Sequence, residues 1–170
     1  MRYLSIIAVL FVLPLAACDD GKPGTSVSID VAGDDGNVVG GIDGNTGQAT
    51  INVPGFSGKV TLPKLKLDAG DFDMNGVHLY PGSTISSMKI VAKDGKVGGE
   101  DRGTVRVAFE SPADAATVRN WFAERLNKAN FTVTARGNSV IGTDPEKHPF
   151  RLDLTPDGEG RAKGVILTGN

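Results

Sequence analysis

The chain has 170 residues, with 18 Lys and Arg against 20 Asp and Glu, for a formal net charge of −2. That mildly acidic balance argues against nucleic acid as a partner, and a single cysteine cannot close an internal disulfide. Abundant glycine (23 residues) with only 6% aromatics predicts many turns and a β-rich or α+β chain.

The N-terminus carries Arg2, then an apolar run from Leu4 to Leu13 broken only by Ser5. That run has the length of a signal h-region and is too short to span a bilayer. It is closed by Leu15-Ala16-Ala17-Cys18. An ordinary secretory signal cut near Ala17 would leave Cys18 as a stray thiol. The four residues instead resemble the lipobox of bacterial lipoproteins. The resemblance implies a diacylglycerol thioether on Cys18 and cleavage by signal peptidase II just before it, with Leu15, Ala16 and Ala17 as the recognition residues. An N-acyl chain such as palmitate on the new terminus is also implied. Each buried methylene contributes about 0.8 kcal/mol and one chain holds only marginally, so two or three chains make the attachment effectively permanent. Asp19 and Asp20 follow and resemble the retention signal of enteric-type sorting. They favour the inner over the outer membrane, with the protein facing the periplasm. No later segment approaches eighteen apolar residues, so the lipid is the one predicted membrane attachment.

Residues 1–17 are thus expected to be a signal peptide and 18–26 a lipidated cysteine and tether. Residues 27–83 are a Gly-rich short-strand region with a connector. Val27, Ile29 and Val31 alternate with Ser28 and Asp30; Ile51 and Val53, Val60 and Leu62, and Leu65 and Leu67 repeat the pattern. Such alternation predicts half-buried strands. The breaks are set at Asp35-Gly36, Gly40-Gly41, Asp43-Gly44, Pro54-Gly55 and Pro63. Few large apolar residues lie in 19–50, so partial disorder is the alternative there. Residues 68–83 show no periodicity and are expected to be an irregular connector.

Residues 84–170 predict a domain of order β-β-α-β-β-β-β that folds alone from about Met74. Met88, Ile90 and Ala92 form its first strand, and Asp94-Gly95 signals a hairpin into Lys96-Val97. Val105, Val107 and Phe109 form the next strand. Ser111-Pro112-Ala113-Asp114 opens a helix, with Ser111 as cap and Asp114 returning the capping-box bond. Ala115, Val118, Phe122, Leu126 and Ala129 make one apolar stripe, flanked by Trp121 and stopped by Asn130. Strands follow at 131–135, 140–141, 150–154 and near the C-terminus. The predicted fold class is therefore α+β: an antiparallel sheet packed on one amphipathic helix, preceded by a Gly-rich β or partly disordered region.

Leu79-Tyr80-Pro81-Gly82-Ser83, Phe109-Glu110-Ser111-Pro112-Ala113-Asp114, Trp121-Phe122 and Asn130-Phe131 resemble a pattern in uncharacterised bacterial envelope proteins. Those carry a Tyr-Pro-Gly turn, then a strand, a capped helix with paired aromatics, and another strand. The resemblance covers about half the chain; it implies the fold and no activity.

One motif has metal-like spacing. Asp71-Phe72-Asp73-Met74-Asn75-Gly76 is similar to the first half of a calcium loop, so Asp71, Asp73 and Asn75 are weak calcium candidates. The bidentate-Glu position holds Gly82 and a strand, not a helix, precedes the loop, so a turn is the favoured reading and no metal is expected. His78 and His148 lack a His or Cys at ligand spacing, and His148 is expected on a solvated loop. Pairs such as Asp144 and Glu146 carry almost no weight among twenty acids. No catalytic constellation stands out and no cofactor is expected beyond the acyl groups on Cys18. The expected protein is a non-enzymatic, lipid-anchored interaction or structural module of the cell envelope. Its partners are the membrane and an unidentified envelope protein. The alternatives are a small-ligand or calcium-binding module, or an enzyme whose site is assembled from distant residues.

Overall fold

The computed structural model describes residues 24–31, 38–92 and 103–169. The Asp35-Gly36 turn and the Asp94-Gly95 hairpin lie outside them. The described elements are β1 (Ser26–Val31), β2 (Val38–Ile42), β3 (Gln48–Val53), β4 (Phe56–Thr61), β5 (Leu67–Asp68), β6 (Thr84–Ala92), β7 (Thr104–Ser111), α1 (Ala115–Lys128), β8 (Thr132–Arg136), β9 (Ser139–Thr143), β10 (Pro149–Pro156) and β11 (Ala162–Thr168).

All the strands join one sheet of order β4-β3-β2-β1-β6-β7-β11-β10-β9-β8, with β5 also on β6. This corrects the predicted fold class. Among the described residues 53% are in strands and 11% in helix, with a single helix on a large mixed sheet of eleven strands. The sheet is not antiparallel throughout, because β1 runs parallel to β6, with Val27 opposite Met88 and Ile29 opposite Ile90. Nor do the N-terminal strands merely precede a domain; they extend its sheet.

β6 joins the two halves. A register shift between Ile85 and Ser87 leaves Ser86 as a bulge, its hydroxyl donating to the Ala108 carbonyl at 3.1 Å. The extra residue lets Ile85 and Met88 both face the helix side, opposite Phe109 and Val107. Buried Thr25 ties the junction: its hydroxyl donates to the Ile85 carbonyl and accepts from the Leu67 amide, and its own amide donates to the Leu65 carbonyl.

The helix follows the apolar stripe, with Ala115, Val118, Phe122 and Leu126 buried. Its cap is Asp114 rather than Ser111. The Asp114 carboxylate accepts from the Ala116 and Thr117 amides, each at 2.9 Å, and from the Thr117 hydroxyl at 2.7 Å. Those bonds, led by the Thr117 hydroxyl, hold its pKa below the ordinary carboxylate value. Ser111 instead accepts from the Ala113 amide in the lead-in. Asn130 ends the helix in the left-handed region, at φ 63°.

The core lies between α1 and the strands of the second half: Val107, Phe109, Phe122, Val140, Phe150, Leu152 and Ile166 are all at most 1% exposed. Gly164 lies opposite Phe109 for a packing reason. A Cβ there would come within 2.2 Å of the Phe109 ring, so the ring occupies the missing side chain's place. Residues 68–83 are more than a connector. Phe72, Val77 and Leu79 belong to the same core cluster, and Met74 and Val77 form an isolated bridge. Gly82, at φ 78°, closes the Tyr-Pro-Gly turn against Pro112.

Gly40-Gly41, expected as a break, lies inside β2. A Cβ at Gly41 would sit 3.0 Å from the Val27 carbonyl oxygen, so glycine here permits close approach of β1. Two of the other expected breaks are turns: at Asp43-Gly44 the Asp43 carboxylate accepts from the Asn45 and Thr46 amides at 2.8 and 2.9 Å, and at Pro54-Gly55 the glycine turns at φ 80°.

Candidate interaction surface

Register sorts the side chains onto two faces. Val105, Val107 and Phe109 of β7 point to the helix side. Partner by partner, that face continues through Met88 and Ile90 of β6 and Val27 and Ile29 of β1. It then runs through Gly40 and Ile42 of β2, Ala49, Ile51 and Val53 of β3, and Phe56, Gly58 and Val60 of β4. Every one of these residues is apolar or glycine. The opposite face is mostly polar, with Ser28, Asp30, Thr50, Asn52, Lys59 and Lys89 alongside Val91 and the exposed Val39. Lys89 and Asp30 form an ion pair there at 3.0 Å. A shallow groove of about 550 Å³ opens among Ser28, Gln48, Thr50, Lys89 and Arg106.

The apolar face is covered in one half only. α1 contacts β8, β9, β10 and β11. Across β1–β4, among the described residues, no helix lies over it, and Phe56 is 61% exposed, Val60 56%, Ile51 54% and Ile29 38%. The Phe56 ring leans over Gly58, where a Cβ would be 3.1 Å from it, so the aromatic lies along the face. Single exposed apolar residues are ordinary, but a contiguous patch on a flat sheet marks a place where something docks. Alternation predicted half-buried strands; the alternation is present, and the apolar side meets solvent.

Cys18, Leu15, Ala16 and Ala17 lie outside the described residues. In the 71–76 loop, the Asp71 carboxylate accepts from the Asp68 amide at 2.8 Å. The Asp73 carboxylate accepts from the Gly76 amide at 3.3 Å and faces His78 Nε2 at 3.5 Å. Asn75 takes φ 52°. The two carboxylates turn to separate local partners rather than to one centre, and the His78 ring nitrogen Nδ1 lies 2.9 Å from the Phe72 carbonyl oxygen.

A different group does converge. In the β9–β10 loop, one ligating atom each from Asp144, Glu146 and His148 lies within 4.8 Å of the others. His148 is not on a solvated loop; its side chain is 18% exposed, with Nδ1 at 3.0 Å from Asp144 Oδ2 and 3.7 Å from Glu146 Oε2. Asp144 Oδ1 also accepts from the Glu146 and His148 amides, at 2.8 and 2.9 Å. Burial pushes the Asp144 pKa up, but the hydrogen bonds from the His148 ring and amide outweigh it and leave the group below its ordinary value. These bonds fix the loop, with Lys147 at φ 73° completing the turn. The same three groups have the chemistry of cation ligands. Their Asp-x-Glu-x-His spacing was the available signal in the sequence.

Trp121 forms a third cluster. Its ring meets Tyr80 edge-on at 5.8 Å and Phe122 at 5.0 Å, and the Arg125 guanidinium sits 4.2 Å above it. Packing of the Tyr-Pro-Gly turn onto the helix accounts for it. Comparison of the chain with protein-family models, with curated proteins and with solved structures finds no match to any of them.

Proposed function

We propose that the chain is a lipid-anchored protein of the bacterial cell envelope, attached through diacylglycerol and N-acyl groups on Cys18. It faces the periplasm, on the inner rather than the outer membrane, and works as a non-enzymatic interaction module. The observation that carries this reading is the placement of Leu15-Ala16-Ala17-Cys18 at the end of a signal-length apolar run, with the chain's one cysteine where the lipid would go. A broad, half-uncovered sheet suits an interaction role, since its helix-side face offers contact area beyond the half that α1 covers. In fractionated cells the protein is expected to sediment with membranes and to be released by detergent but not by high salt or alkaline carbonate. Release by salt alone would sink the lipid-anchored reading.

A further inference from the structure

We propose that the uncovered apolar half of the sheet rests on the surface of the same bilayer that holds the lipid; the inference depends on the anchoring proposed above. The patch consists of Ile29, Ile51, Phe56 and Val60, contiguous through Gly40 and Gly58, which keep its middle flat. Its place relative to the anchor selects the occupant. The described chain begins at Gly24, whose amide bonds to the Gly44 carbonyl at the end of the sheet where β1 starts. The six residues from Cys18 to Gly24 reach at most about 20 Å, and a six-residue strand such as β1 or β4 adds about the same again. The whole patch is therefore held within a short distance of the headgroups, where a tethered contact forms at high effective concentration and needs little affinity of its own.

The two-sidedness of the sheet gives the orientation. The face bearing Ser28, Thr50, Lys59 and Lys89 suits water, with Val39 exposed among polar neighbours, and the reverse face presents a row of apolar side chains to the boundary of headgroups and acyl chains. Pairing of two copies along the open edge of β4 would extend the sheet in its own plane and leave the patch uncovered. Stacking of two copies face to face is the competing occupant.

The test uses full-length lipidated protein reconstituted into phosphatidylethanolamine–phosphatidylglycerol vesicles that contain a nitroxide-labelled lipid. A fluorophore is placed at Ile51→Cys, or at Val60→Cys as a second variant, and compared with Lys59→Cys on the opposite face. Quenching by the nitroxide is expected to be several-fold stronger at positions 51 and 60 than at 59. Equal quenching at all three positions, in protein whose mass carries the lipid, would overturn the docking and leave the anchor standing. Energy transfer between labels at position 51 that rises with protein density, without nitroxide quenching, would assign the face to a second copy and also overturn it. Protein whose mass lacks the lipid would overturn the anchor, and this inference with it.

Discussion

Replacement of Phe122 by Ala is expected to cost about 3–5 kcal/mol, the usual penalty for emptying a buried aromatic site. Phe122 is fully buried on the inner stripe of α1, with its ring 5.9 Å from Phe109 and 5.0 Å from Trp121. The cavity would open between helix and sheet, where Val107 and Ile166 are also fully buried and held by the strand ladder. The melting temperature should fall by roughly 6–20 °C, given about 2–4 °C per kcal/mol for a chain of this size. Glu124→Ala is the control. Its i,i+4 pair with Lys128, at 2.6 Å, is exposed and screened by solvent, so its loss should leave the melting transition essentially in place. Arg119 is a poorer control than the helical pattern suggests, since its guanidinium donates to the Gly137 carbonyl at 2.6 Å. Chemical denaturation that gave Phe122→Ala and Glu124→Ala similar small effects would mean that α1 packs on another face.

The second large effect concerns where the folding unit begins. A fragment starting at Met74 should lose the cooperative melting transition that a fragment starting at Gly24 retains. The shorter fragment lacks Phe72, which lies in the main core cluster, and Leu67 and Ala69, which pack against it. Losing the Phe72 side chain alone costs about 3–5 kcal/mol, a large part of the roughly 5–15 kcal/mol by which domains are stable. The fragment also loses β1, β5 and the Thr25 bonds, leaving β6 as an edge without a partner strand along the side away from β7. Similar melting temperatures for the two fragments, followed by circular dichroism, would show that residues 84–170 with a short lead-in form a complete unit. The division at residue 83 drawn from sequence places Phe72, Val77 and Leu79 outside the unit whose core they line.

What was legible in the sequence was local. The α1 stripe of Ala115, Val118, Phe122 and Leu126, the alternation of Val105, Val107 and Phe109, and that of Phe150, Leu152 and Leu154 each carry a period set by backbone geometry, and all are buried as that period requires except Val105, which is half-buried. The Asn130 stop was visible for the same reason. The parallel pairing of β1 with β6 was not, because no short-range signal records which strand lies beside Val27 some sixty residues later. Phe72, Val77 and Leu79 reach the core from an irregular path, so their burial leaves no periodicity to read. Gly40-Gly41 looks like a turn by composition and is a strand, since close approach by Val27 also calls for glycine. Helix entry was misplaced by three residues because both Ser111 and Asp114 are good caps, and only the path of the chain over Pro112 chooses between them. At the candidate sites, the spacing of Asp71, Asp73 and Asn75 drew notice, while Asp144, Glu146 and His148 converge more closely. What brings them together is the turn between β9 and β10, not their spacing alone.

Lipid anchoring depends on Cys18, and the intact mass of the membrane-extracted protein reads the state of that residue. The expected mass is that of a chain beginning at Cys18 with an added diacylglycerol thioether and N-acyl chain, while a Cys18→Ser variant is expected to keep its first seventeen residues and gain no lipid. A mature chain that starts elsewhere, or one that starts at Cys18 with an unmodified thiol, would contradict lipid anchoring.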